Sequence, residues 1–153
     1  MKRFFIYDSK IGTMLIAERA GKITDLSLAK EMLADQIEET PLLKEAYRQV
    51  KDYLAGRRKG FDLPLAPEGT VFQQRVWQAL LEIPYGKTCS YGEVAAQIGN
   101  AKASRAVGMA NQKNPILLVI PCHRVIGADG SLTGYGAGLP LKKLLLDLEK
   151  ENA

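Results

Sequence analysis

The chain has 153 residues, 46% hydrophobic and 25% charged, a globular balance long enough for one domain or two small ones, which excludes a wholly disordered protein. It holds 21 Lys and Arg against 17 Asp and Glu, with two cysteines and one histidine, too few for a disulfide framework or a four-ligand zinc site. No run approaches the roughly 20 apolar residues of a membrane span and no secretory leader opens the chain, so we expect a cytoplasmic protein with no metal, no cofactor and no membrane partner.

The first 28 residues read as strands and tight turns: Arg3–Tyr7, a turn over 8–12, Thr13–Ala17, then Lys22–Leu28 after Gly21. From Thr40 the period changes. Thr40 can cap a helix with Pro41 at its first position, and Leu43, Ala46, Tyr47, Val50 and Leu54 recur at helical spacing until Gly56. Residues 55–69 are rich in basic residues, Pro and Gly, the composition of a linker. The expected division is therefore an N-terminal α/β domain over 1–55, a linker over 56–69 and a mostly helical domain over 70–153.

Three helices follow. Thr70 and Gln73 form a capping box ahead of the stripe Phe72, Val76, Ala79 and Leu80, and Ser90 with Glu93 forms a second ahead of Val94, Ala95 and Ile98. Gly99 ends that helix, and Asn100 is expected to cap the next, from Ala101 to about Ala110. The last two make a helix-turn-helix pattern. Within residues 83–128, Lys87, Lys102, Arg105, Lys113 and Arg124 face only Glu93, so the net positive charge of the chain is concentrated there. The second helix is slim, with Ala103, Ser104, Ala106, Gly108 and Ala110, and Arg105 stands out as its long cation. Close helix packing and entry into a narrow groove both suit such residues.

The apolar run Ile116–Ile120 reads as a buried strand, leading into Pro121-Cys122-His123-Arg124-Val125. A free cysteine is mostly protonated at pH 7 and needs a proton acceptor to act as a nucleophile. The sole histidine is the next residue, and a bridging water with a turn at Pro121 would suit that spacing. A third group should orient the imidazole; any carboxylate could do so, and spacing does not identify which. A free cysteine is also commonly a small buried hydrophobe, and Cys89, with no proton acceptor nearby in sequence, is read that way.

The stretches Ile83-Pro-Tyr-Gly-Lys-Thr, Ser90-Tyr-Gly-Glu, Ser104-Arg-Ala-Val-Gly, Asn114-Pro, Pro121-Cys-His-Arg-Val, Gly134-Tyr and Leu144–Glu149 together resemble the O6-alkylguanine-DNA alkyltransferases from about Thr70 to Glu149. The resemblance implies an α+β protein with a small ribonuclease H-like N-terminal α/β domain and a helical, winged-helix-like C-terminal domain built on the helix-turn-helix. It implies a monomer that enters the minor groove of double-stranded DNA containing O6-alkylguanine, with O4-methylthymine left open as a second base. The alkyl group would pass irreversibly to Cys122, one turnover per molecule.

By the same resemblance His123 would relay the thiol proton through water and Glu149 would orient His123. Tyr91 would help rotate the base out and hydrogen-bond guanine N3. Arg105 would fill the vacated stack, with Lys102, Ala103 and Ser104 along the groove. Asn114 would brace the pocket, Tyr135 would wall it, and Lys142 sits at the family's lysine on the last helix. The carbonyls of Cys122 and Val125 would accept the guanine amino group, and the Gly136 amide would face O6. Gly136 departs from a frequent serine, and Asn111 and Gln112 are expected to alter groove contacts. A DNA-flagging relative, a cysteine hydrolase and a transcription regulator stand as alternatives; the first should lack the cysteine, and the last would need base-reading side chains.

Overall fold

The computed structural model describes residues 1–28 and 36–153. The chain divides into two units: Met1–Glu68 with Pro115–Leu117, and Gly69–Asn114 with Leu118–Ala153. The first unit is a four-stranded sheet ordered β3-β2-β1-β4, from β1 (Arg3–Ser9), β2 (Gly12–Arg19), β3 (Lys22–Ser27) and β4 (Gln36–Ile37). β1–β2 and β2–β3 are antiparallel, and the short β4 runs parallel to β1. Arg19 pairs with Lys22, leaving Ala20 and Gly21 as a two-residue turn with φ of 53° and 78°. Positive φ at both positions is the twist that fits a tight hairpin. β2 is buried continuously from Met14 to Glu18, as expected of a strand covered on both faces.

The helix α1 (Pro41–Leu54) contacts β1, β2 and β3. Thr40 caps it, accepting from Leu43 N–H at 3.2 Å, and Pro41 opens it where its missing N–H has no helical partner to lose. The free edge of β3 is covered. Ile23 exchanges hydrogen bonds with Pro64 C=O and Ala66 N–H, within the stretch whose composition reads as a linker, and Leu26 does the same with Pro115 and Leu117. Such short pairings protect an edge that would otherwise offer bare backbone groups.

The second unit holds α2 (Val71–Leu80), β5 (Cys89–Ser90), α3 (Tyr91–Gln97), α4 (Ser104–Gln112), a 3₁₀ turn over Cys122–Arg124, β6 (Val125–Ile126) and α5 (Leu139–Asn152). Both capping boxes form with reciprocal bonds. Trp77 on α2 is buried and donates its indole N–H to Ala110 C=O at 2.9 Å, locking α2 against α4. No helix among the described residues is long and apolar enough to cross a membrane.

Two expectations fail here. Asn100 does not cap the next helix. Its N–H bonds Ala95 C=O and Gly99 N–H bonds Ala96 C=O, with Gly99 at φ 81°. That pair of bonds closes α3 in a Schellman motif, and α4 begins later, at Ser104, with Ala103 before it and no side-chain cap. Nor is Ile116–Ile120 a strand. Ile116 makes one bridge to Leu26, and the chain then turns, with Leu118 at φ 70°. Ile116, Leu118, Val119 and Ile120 are nonetheless buried; an apolar run signals burial without specifying a period.

Candidate active site

The nucleophile candidate is presented by a tight reversal. Pro121 has φ −81° and ψ 64°, and Cys122 N–H donates to Ile120 C=O at 2.8 Å. This is an inverse γ-turn, for which proline's restricted φ is suited. It feeds directly into the 3₁₀ turn, so Cys122 and His123 do not alternate across a strand and both face the interior at 2% and 0% exposure. Asn111 in the last turn of α4 and Asn114 just beyond it hold this reversal. Asn114 Nδ2 donates to Ile120 C=O at 2.8 Å and Asn111 Nδ2 to Cys122 C=O at 3.3 Å. The Cys122 carbonyl also accepts Val125 N–H.

Behind the cysteine lies a buried charge array centred on Glu149. Arg124 grips the carboxylate with two bonds, Nε to Oε1 at 2.8 Å and Nη2 to Oε2 at 2.9 Å, and sends Nη1 to Ile83 C=O at 2.6 Å. Gly86 N–H adds a third donor at 3.1 Å. His123 Nε2 stands 2.7 Å from Glu149 Oε2. Arg124 and Gly86 both donate to Glu149, so its carboxylate acts as an acceptor toward them, and the tautomer with the imidazole hydrogen on Nε2 matches it. Nδ1 is then the basic nitrogen.

These surroundings set the protonation states. Burial pushes the Cys122 thiol up to about 11, opposed by the Asn114 side chain, the Lys142 charge and the Tyr135 hydroxyl. At pH 7 only about one molecule in 10⁴ would carry a thiolate unaided, so reaction needs a base at hand. Burial also lowers the His123 pKa, against the pull of Glu149, which keeps the imidazole neutral and able to accept a proton. Burial, then the neighbouring Cys122, raises the Tyr135 phenol.

Lys142, fully buried on α5, donates Nζ to Val125 C=O at 2.5 Å and to Thr133 C=O at 2.9 Å. Tyr91 O–H donates to the same Thr133 carbonyl at 2.9 Å. The loop that carries Tyr135 is thus tied to both α3 and α5. Gly134 has φ 60°, and a Cβ there would lie 2.9 Å from Gln112 Nε2 and 3.2 Å from Tyr91 Oη. At Gly136 a Cβ would come within 3.3 Å of Gln112 C=O, which gives a steric reason for glycine in place of serine.

The helix-turn-helix surface is different in kind. Arg105, Lys102 and Lys113 are exposed and have no ion-pair partner among the described residues. Ala103 and Ser104 are half-buried at the start of α4, and a Cβ at Gly108 would lie 3.7 Å from the Tyr91 ring. One large apolar side chain interrupts the slim face: Met109, one turn beyond Arg105 and 64% exposed.

Residues 71–151 match the family profile of the 6-O-methylguanine DNA methyltransferase DNA-binding domain, and residues 3–67 match that of its ribonuclease-like domain. The chain belongs to the 6-O-methylguanine DNA methyltransferases. A methylated-DNA–protein-cysteine methyltransferase of Methanosarcina acetivorans is 51% identical over 151 residues, spanning 95% of this chain and 97% of the relative. The constitutive methyltransferase of Bacillus subtilis is 45% identical over 159 residues, spanning 98% and 96%. Among solved structures, Mycobacterium tuberculosis OGT in complex with DNA superposes with a TM-score of 0.92 at 47% identity, spanning 99% of this chain and 94% of that one.

In this 6-O-methylguanine DNA methyltransferase the fold gathers Cys122, His123, Glu149, Asn114, Val125, Tyr135 and Lys142 into one buried cluster, and Tyr91 joins it through Thr133. Arg105, Lys102, Ala103 and Ser104 sit on the helix-turn-helix, and Gly136 is exposed on the loop beside Gln112. Two residues went unrecognised. Arg124, counted among the free cations, is 7% exposed and clamps Glu149. Asn111, expected to affect groove contacts, is 1% exposed and turned inward to Cys122. Their common signal is polarity inside an otherwise apolar or small-residue segment.

Proposed function

We propose that the protein repairs DNA by direct reversal, taking the alkyl group from O6 of a flipped guanine onto Cys122 Sγ. The observation that carries this is the array behind Cys122: a neutral His123 whose Nε2–H is fixed on Glu149, itself gripped by Arg124. A water passes the thiol proton to His123 Nδ1. The sulfur electron pair then forms the S–C bond as the C–O6 bond breaks, and the purine leaves with a proton supplied at its ring or oxygen. Placing a base with the correct tautomer contributes about 10²–10⁴ in rate. The thioether has no good leaving group, so each molecule acts once.

O6 of a stacked, paired guanine is out of reach of a thiol in line with the C–O bond, so the base leaves the helix first. Tyr91 and Arg105 serve that step, Tyr91 at the turned-out nucleotide and Arg105 in the vacated stack through its flat guanidinium. The small residues of α4 suit approach along the minor groove, with Lys102, Ala103 and Ser104 at its edge. The family likeness and the DNA-bound OGT at 47% identity support this reading. We assign the protein to the cytoplasm as a monomer.

The decisive experiment is intact mass before and after mixing with a duplex containing O6-methylguanine. One methyl is expected, mapped to the Cys122 peptide and lost in Cys122→Ser but kept in Cys89→Ser. Label on Cys89, or sustained turnover on an ester, would overturn the assignment.

A further inference from the structure

The orientation of α4 is fixed from behind. Val107, Ala110 and Asn111 form its buried face, held by the Trp77 indole on Ala110 C=O and by the Asn111 carboxamide on Cys122 C=O. The opposite face looks outward and carries Arg105, Ala106, Met109, Gln112 and, at the C-cap, Lys113, all exposed. Met109 is 64% exposed and, among the described residues, is the sole large apolar side chain exposed on this helix. A lone exposed hydrophobe is common on protein surfaces, but the surroundings of this one are not neutral. Arg105 precedes it by four residues and Lys113 follows it by four, so the three lie on one stripe, each about 6 Å from the next along the axis. Neither cation has an ion-pair partner among the described residues.

We propose that Met109 is an apolar wedge for the minor groove of duplex DNA, filling the groove between Arg105 and Lys113. This rests on the alkyltransferase reading above and adds to it a contact that carries no charge. With Arg105 in the vacated stack and Lys113 against the backbone, the side chain between them is drawn into the groove and sheds its water. Minor-groove proteins set methionine and other apolar side chains against or between base steps in this way. The flexible thioether adapts to an irregular wall, and the gain comes from removing apolar surface from water. Salt screens the phosphate contacts on either side and leaves this one untouched.

The test is the Kd for an unmodified duplex, measured by fluorescence anisotropy at several salt concentrations. Met109→Ala should weaken binding about tenfold at every concentration, equivalent to about 1.4 kcal/mol, the lower end of what burying such a side chain supplies. The slope of log affinity against log salt should stay as in wild type, whereas a lost phosphate contact would reduce it by about 0.9. Met109→Leu should bind within about twofold of wild type and Met109→Gln should fail like the alanine variant; all three replacements are good helix formers, so α4 is preserved. Alanine binding as tightly as wild type would leave Met109 facing solvent and overturn the proposal. A wild-type dimer lost in Met109→Ala with DNA affinity unchanged would give the side chain to a second copy and overturn it too. So would a reduced slope, or a leucine variant as weak as alanine. In each case methyl transfer to Cys122 by wild type keeps the transferase reading; wild type that neither binds duplex nor accepts a methyl group would overturn both.

Discussion

Charge is arranged in opposite ways in the two units. In the first, the ion pairs lie at the surface: Lys2 with Asp25 at 2.8 Å and Glu68 at 2.7 Å, Arg19 with the same Glu68, and Arg48 with Glu45 at 2.6 Å and Asp52 at 3.2 Å. In the second, a Lys143–Asp147 pair on α5 follows that pattern, but Lys87, Lys102, Arg105 and Lys113 are exposed with no ion-pair partner among the described residues, and Arg124, His123 and Glu149 converge in the interior. Exposed pairs contribute little, because water screens them and two long side chains must be ordered. A buried array cannot be solvated, so its geometry is enforced. The first unit thus keeps its ion pairs at the surface, whereas the second also holds a charge array in its interior beside Cys122.

The contrast can be broken most sharply at Glu149. Glu149→Gln leaves Arg124 buried with no counter-charge and should cost about 3–5 kcal/mol in urea unfolding, while methyl transfer slows at least about a hundredfold as His123 loses its orienting partner. A loss below about 1 kcal/mol would make this array no different from the surface pairs of the first unit.

Next in size is the pH dependence of stability. The folded Cys122 thiol titrates near 11 rather than its ordinary 9.0. Its contribution is therefore fully present below pH 9 and lost as pH rises toward 11, about 2–3 kcal/mol at most. The His123 pKa is lowered from 6.5, so its contribution is present above 6.5 and lost as pH falls from there through the lower folded value. Thermal melting across pH should show both limbs in wild type, with Cys122→Ser removing the difference at the alkaline limb. An unchanged alkaline limb would detach it from this thiol.

Arg105→Ala should slow repair of duplex DNA at least about tenfold, roughly 1.4 kcal/mol, while reaction with free O6-alkylguanine stays within about twofold, since a free base needs no flipping. Equal loss on both would remove Arg105 from that step. Smallest are the surface charges. Lys113→Ala should weaken DNA binding a few-fold and reduce the slope of log affinity against log salt by about 0.9. Arg48→Ala should leave DNA affinity unchanged and cost under about 1 kcal/mol of stability.

Several parts of this design can be read without coordinates because both partners lie within a turn of each other. Thr40 caps Leu43, Thr70 pairs with Gln73 and Ser90 with Glu93, each three residues apart. The first three strands follow from β-rich and apolar runs set off by turns, and α1 from helical spacing. The failures share one cause. Asn100 has the composition of a cap, but it falls in the Schellman closure of α3, and the next helix begins only at Ser104. Ile116–Ile120 has the composition of a strand, but buried turns flanked by proline need no ladder. Arg124 counts as a surface charge in any tally of sequence, until Glu149 takes it inside.

What the sequence by itself determined, then, is the local punctuation of helices and hairpins and, through Pro121-Cys-His-Arg-Val and its companion motifs, the family resemblance and the chemistry it implies. Only the tertiary structure decided which carboxylate faces His123, which tautomer that histidine adopts, and that α4 turns Asn111 inward while leaving Arg105 outside. Glu149 is 26 residues from His123 and 63 from Gly86. Local propensity has no term for such separations; they are set by helices and loops packing until every buried charge has its donors, a condition of the whole unit rather than of any segment.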